Sequence, residues 1–225
     1  MRPAEQSALA YPFNTVLGSQ AGVRVLRALA RHGGALSAPT VARQAALSAA
    51  VARTALSSLA HTGIVTVHGQ GRAVSYQLDA THPLAPSLAH LFAAEGDRRA
   101  RVLDGLREAA SRLRPEPLGL WLYGSVARGD DTETSDLDVA LCVADAAVLD
   151  AHTATLRDAA AEIGQRERVP ISVISFTAVD AARLAREGAA IWRGIVHDGV
   201  LLAGRSPDAV APLAPAKSAR ARRTS

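Results

Sequence analysis

Cysteine and aromatic residues are scarce in this chain, and several classes of protein fall away with them. The one cysteine, Cys142, lies in an apolar strand pattern and reads as a small buried hydrophobe in a reducing compartment rather than a catalytic thiol. No Cys/His set has the spacing of a zinc site. Aromatics at 4% leave no stacking platform for single-stranded RNA. No run of about eighteen uncharged apolar residues occurs, so no membrane span is expected. The opening stretch MRPAEQSALAYPFN lacks the apolar core of a signal peptide, and the expected location is the cytoplasm. What is present is a hydrophobic content of 48%, much of it alanine, over 225 residues, enough to bury cores in one or two domains.

The net charge of +4 hides an asymmetry along the chain. Residues 1–80 carry +5, residues 81–114 carry +2, residues 115–205 carry −6 and residues 206–225 carry +3. A basic front half points to an anionic partner, and an acidic back half to metal-binding chemistry.

That chemistry has a centre in LWLYGSVARGDDTETSDLDVALCV, Leu120 to Val143. An apolar strand over 118–123 runs into Gly124-Ser125; ten residues later comes Asp136-Leu137-Asp138, opening a second strand. The period of two in that strand sends both carboxylates to one face. Side by side they repel, and a hard divalent ion such as Mg²⁺ relieves the repulsion while taking substrate phosphates into its oxygen shell. Glycine at the turn lets the backbone approach a phosphate, and the helix start that follows offers N–H groups to an anion. The pattern implies a Mg²⁺–triphosphate cradle.

GSVARGDDTETSDLDV closely resembles the GS-x10-DxD signature of the minimal nucleotidyltransferases, within the DNA-polymerase-β-like nucleotidyltransferase superfamily. Ala127-Arg128-Gly129 and Ser135-Asp136 also fit the family's usual surroundings. The resemblance implies transfer of a nucleoside monophosphate from a nucleoside triphosphate to an acceptor hydroxyl on a protein, an RNA or a small molecule. It implies Asp136 and Asp138 as catalytic Mg²⁺ ligands, and Gly124 and Ser125 as triphosphate binders. Arg128 reads either as a phosphate contact or as an exposed helix arginine. Some relatives act as antitoxins that nucleotidylate a toxin of the HEPN type, so a toxin-like protein acceptor belongs among the partners. Family members usually carry a third carboxylate on the next strand, and here that place falls on Ser172, in Ile171-Ser172-Val173-Ile174. Serine neither ionises at neutral pH nor ligates a metal as a carboxylate does. Glu167 and Asp180 lie at the ends of that strand. An alternative therefore stands beside the enzyme: a transcription regulator whose nucleotidyltransferase domain senses nucleotide.

In the basic front half, apolar spacing predicts a helix within 14–31, with Gly18-Ser19 as a candidate start, then helices over 38–46 and 49–61. On the last, Val51, Ala55, Leu56 and Leu59 share one face while Arg53, Thr54 and Ser57 share the other, as on a recognition helix. Two alternating strands, 64–68 and 73–78, flank Gly69-Gln70-Gly71 as a hairpin. Residues 14–80 thus look like a winged helix-turn-helix domain that binds double-stranded DNA, with His68 and Arg72 at the wing tip. Residues 81–114 read as a helical linker, one helix or two broken near Gly96, whose Arg98-Arg99-Arg101 cluster reads as a solvated face. Residues 115–205 form the nucleotidyltransferase domain, with helices over 146–164 and 178–187 and a strand over 169–176; Trp192 and His197 read as packing and capping residues. The segment 206–225, rich in Pro, Ala and Arg, reads as a disordered basic tail. The expected fold class is α+β: an N-terminal winged helix and a C-terminal mixed sheet with flanking helices. A homodimer is expected, since such readers commonly match two-fold operators.

Overall fold

Serine caps open the helices of the front half. In the computed structural model, which describes residues 17–132 and 134–211, α1 spans Gln20–His32 and the Ser19 hydroxyl accepts the Gly22 N–H at 3.0 Å. A two-residue strand β1 (Leu36–Ser37) precedes α2 (Ala38–Gln44), and Ser48 caps α3 (Ala49–His61). Then β2 (Val65–His68) and β3 (Ser75–Leu78) form the hairpin, joined through a 3-10 turn at Gly71–Ala73. The antiparallel sheet has the order β1-β3-β2. β1 escapes a sequence reading because two residues show no alternation. Gly69 sits at φ +81°, where a β-carbon would overlap the Ala73 carbonyl oxygen, so the wing turn requires glycine.

The core of this unit gathers Val25, Leu26, Leu29, Val41, Leu56, Leu59 and Ile64, with Leu88 and Phe92. Ala52, not Val51, completes the buried face of α3; Val51 is 44% exposed. The turn between α2 and α3 puts Ala46 in the left-handed region at φ +49°, and the Arg24 Nη2 donates to its carbonyl oxygen at 2.9 Å. A β-carbon there costs roughly 1–2 kcal/mol. Ala46→Gly should therefore stabilise the protein by about 0.5–1 kcal/mol once glycine's greater freedom in the unfolded chain is counted, read by thermal unfolding.

α4 (Ala85–Arg112) runs unbroken through Gly96 for 28 residues. The described chain divides into two compact units at Asp97 and Arg98. In the second unit follow β4 (Gly119–Tyr123), α5 (Gly124–Arg128), β5 (Leu137–Val143) and α6 (Ala146–Glu167). The unit continues with β6 (Ile171–Thr177), α7 (Ala178–Glu187), α8 (Ala190–Asp198), β7 (Val200–Gly204) and α9 (Pro207–Val210). The sheet is mixed, ordered β6-β5-β4-β7, with β5 and β6 parallel and the other pairs antiparallel. Strand alternation divides its side chains between two cores. Leu120, Leu122, Leu137, Val139, Leu141 and Val173 pack with Leu106 of α4, Leu113 of the α4–β4 connection, and Leu156 and Ile163 of α6. Trp121, Ala140, Cys142 and Phe176 face the other way, against Ala181, Trp192, Ile195 and Val210 of α7, α8 and α9. The fold class is α+β.

Two expectations change here. Arg98 and Arg101 are exposed, as expected, but they are also engaged: Arg98 donates to the Glu167 carbonyl at 2.9 and 2.6 Å, and Arg101 forks onto the buried Glu167 carboxylate at 2.9 and 3.1 Å. They close the C-terminal end of α6, where the last carbonyls lack partners of their own. The Arg101 hydrogen bonds hold the Glu167 carboxyl below its ordinary range. In the segment assigned to the tail, Pro207 starts a short helix and Val210 is fully buried beside Trp121, so order extends past Ser206. Residues 212–225, the basic end of that tail, lie outside the described residues. Among the described residues no helix is long and apolar enough to cross a membrane.

Candidate active site

The register of the second sheet assembles the site. β4 ends at Tyr123, opposite Asp138 on antiparallel β5; Asp138 in turn lies abreast of Ser172 on parallel β6. All three belong to the face that carries Trp121 and Phe176, beyond the edge of that aromatic core. At the end of β4 the chain turns through Gly124, at φ +77°, into α5. A β-carbon on Gly124 would overlap Asp138 Oδ2. The glycine is thus needed twice, for its left-handed backbone and for the space that the carboxylate occupies. No side chain caps the start of α5, and the Ser125 carbonyl accepts the N–H groups of Gly129 at 2.8 Å and Asp130 at 3.1 Å.

Between α5 and β5 the chain folds back on itself: Ser135 Oγ accepts the Thr132 N–H at 2.9 Å, and the Ser135 N–H reaches the Thr132 carbonyl at 3.1 Å. The Leu137 N–H donates to the Pro170 carbonyl at 2.9 Å, which fixes the start of β5 against the start of β6. Asp136 is exposed one residue before the strand, and Asp138 is half-buried on it. Burial, and after it the Asp136 charge, raises the Asp138 carboxyl above its ordinary range. Burial and the Asp138 charge likewise raise the Tyr123 phenol. The structure therefore brings Gly124, Ser125, Asp136 and Asp138 to one end of the sheet.

Arg128 is engaged already. Its Nε donates to Asp130 at 3.0 Å and its Nη1 lies 3.7 Å from Asp198, at the end of α8. Those carboxylates raise its affinity for the proton, the Asp130 hydrogen bond first. To meet a phosphate it must exchange one of them. The other carboxylates near β6 are committed elsewhere: Glu167 to Arg101, and Asp180 to a capping box with Thr177. Among the described residues no group of three or more His, Cys, Asp or Glu has metal-binding geometry. Two carboxylates with raised charge density at an open strand end still suit a hard cation that draws its remaining oxygens from substrate and water.

That fit has a test without turnover. In metal-free buffer at neutral pH the ionised Asp138 destabilises the fold, because its folded-state carboxyl holds a proton more tightly than the unfolded one. Asp138→Asn should raise Tm at neutral pH, and the gain should vanish as pH falls below the ordinary carboxylate range. Mg²⁺ should raise the native Tm and leave the variant's unchanged.

Tyr123 and Asp198 complete the surroundings, and neither stood out in the sequence. Tyr123 was legible in principle from its two-residue spacing to Trp121; Asp198 lies 70 residues beyond Arg128 and nothing local links them. Trp192 is buried edge-on to Trp121 and Phe176, and exposed His197 contacts Asp198 at 2.7 Å. Cys142 is fully buried, its thiol pushed up to about 12 by burial, so it is chemically silent.

In the first unit, Arg53, Thr54 and Ser57 lie exposed along α3, on the side away from the buried Ala52, Ala55, Leu56 and Leu59. The side chain of Arg72 lies outside the described residues.

The family model for Polymerase beta, Nucleotidyltransferase matches residues 107–207, from the end of α4 to the start of α9. A second, for the IclR helix-turn-helix domain, matches residues 21–69, from α1 into the hairpin. The chain therefore joins a helix-turn-helix domain of a DNA-binding type to a polymerase-β-type nucleotidyltransferase domain. No curated protein and no solved structure matches it significantly.

Proposed function

We propose that this protein is a Mg²⁺-dependent nucleotidyltransferase that moves a nucleoside monophosphate from a nucleoside triphosphate to an acceptor hydroxyl, and that its winged helix binds DNA. The observation that carries the proposal is the fit of Gly124 over Asp138, which sets a phosphate-approaching turn directly against a carboxylate. Asp136 and Asp138 would hold the ion. Once bound, Mg²⁺ supplies charge that offsets the negative charge developing on the triphosphate. Gly124 and Ser125 would orient the triphosphate through backbone N–H and hydroxyl, so that the bond to pyrophosphate lines up with the incoming oxygen. The acceptor belongs to the protein, RNA or small-molecule class, a toxin-like protein included. DNA would meet Arg53, Thr54 and Ser57 in the major groove and Arg72 at the wing, read by a homodimer on a two-fold operator.

Ser172 favours a second reading. It lies abreast of Asp138, where a carboxylate would both ligate the ion and take the acceptor's proton. Without a base the rate falls by about 10²–10⁴-fold. In this alternative the domain senses nucleotide and modulates DNA binding. Release of pyrophosphate from Mg²⁺–NTP in host lysate, which supplies acceptor hydroxyls to take the nucleoside monophosphate, separates the two. The enzyme requires release by the native protein that Asp138→Asn abolishes. The sensor requires release only from Ser172→Asp, together with a DNA affinity of the native protein that changes when Mg²⁺–NTP is added.

A further inference from the structure

Three arginines of α1, Arg24, Arg27 and Arg31, recur at spacings of three and four and so share one helix face, spanning about 10 Å. With His32 they wall a cleft of about 560 Å³ whose other side is Gln44, Ala45 and Ala46, the end of α2 and the turn into α3. No carboxylate lines it. Two of the three guanidinium groups are held in place. Arg24 is fixed by the Ala46 carbonyl at 2.9 Å. Arg27 is forked onto Glu95 at 2.5 and 2.7 Å, with its Cζ 5.4 Å from the centre of the Phe92 ring. Glu95 offsets one positive charge, and its carboxyl is held low by Arg27. Arg31 is exposed and makes no hydrogen bond or ion pair within the described residues.

The geometry points to a binding site for adjacent phosphate groups in this cleft, separate from the nucleotidyltransferase site. Arg31 offers a whole guanidinium fork to phosphate oxygens, while Arg24 and Arg27 add charge and their remaining N–H groups from positions held beforehand, which lose little freedom on binding. A row of three fits a ligand with more than one anionic group better than a single carboxylate. Beside the arginines only His32 and Gln44 bring polar side chains to the lining, Ala28 and Ala45 being apolar, so the charge of the site, and with it recognition, centres on phosphate. The same chemistry has two sources, a free di- or polyphosphate and successive phosphates of a DNA strand. Either one would act on Arg24, which holds the turn immediately before the recognition helix, and so would bear on how α3 meets DNA.

The test uses the full chain in EDTA, which keeps Mg²⁺-dependent binding at Asp136 and Asp138 out of the measurement. Pyrophosphate binding is measured by calorimetry, and binding of a random-sequence duplex by anisotropy across a salt series, for native, Arg31→Gln and Arg31→Lys. Arg31 makes no hydrogen bond among the described residues and acts on Glu95 through its charge alone, so the variants should fold as the native protein does, and thermal unfolding checks this. Weaker pyrophosphate binding by about tenfold or more in Arg31→Gln, largely retained in Arg31→Lys, is the expected result for a free ligand. A log–log salt slope shallower by about one in Arg31→Gln, with no pyrophosphate binding, assigns the cleft to the DNA backbone. Pyrophosphate affinity and salt slope both unchanged in Arg31→Gln would overturn the site. None of these outcomes depends on whether the C-terminal domain transfers nucleotides.

Discussion

Gly124→Ala should lower stability by about 2–5 kcal/mol and abolish nucleotide transfer together. Alanine at φ +77° costs roughly 1–2 kcal/mol, and forcing a methyl group against packed neighbours costs about 1–3 kcal/mol more. The atom that must give way is Asp138 Oδ2, so the strain falls on the proposed metal ligand. Gly129→Ala is the internal control. Gly129 has nearly the same backbone, φ +76°, but a β-carbon there meets nothing within 4 Å. It should cost only the backbone strain and leave transfer close to native. Thermal unfolding of the two variants side by side isolates the contact with Asp138; equal losses in both would mean that the contact contributes nothing.

Trp121→Ala should cost about 3–5 kcal/mol, the range for truncating a buried large aromatic. Trp121 is fully buried at the centre of β4. Its ring lies 6.3 Å from both Phe176 and Trp192, stacked on the first and edge-on to the second, and its Nε1 donates to the Arg205 carbonyl at 2.9 Å. One side chain thus joins β6, α8 and the segment after β7. Because aromatics are only 4% of the chain, this trio concentrates much of the large apolar volume on that face. Urea unfolding should show a lower midpoint with an unchanged slope. Trp121→Phe, which keeps a ring and loses the Arg205 bond, should fall between.

The sequence carried the site's components because they are local in the chain. Gly124, Ser125, Asp136 and Asp138 lie within one strand–turn–strand, where the period of two decides which side chains share a face; Ser172 was marked by the family resemblance alone, and the register sets it abreast of Asp138. The caps at Ser19, Ser48 and Thr177 are equally local: each needs only the next three residues. What the sequence hid depends on distant partners. Arg98 and Arg101 are exposed, as their pattern suggests, but their partners, at Glu167 and Arg168, come 66 residues or more later in the chain. Val210 looked like part of a tail because its neighbours, Pro and Ala, carry no period; it is buried in the core cluster that holds Trp121 and Ile195. The cleft on α1 was hidden in the same way, since its second wall belongs to another helix.

The central claim is that Asp138 serves transfer of a nucleotide rather than the fold alone. It is tested most directly by incubating α-labelled NTP and Mg²⁺ with host lysate and the native protein, Asp138→Asn or Ser172→Asp. Label on an acceptor with the native protein, lost with Asp138→Asn and stronger with Ser172→Asp, is the expected result. Mg²⁺-dependent labelling that persists undiminished in Asp138→Asn would contradict it.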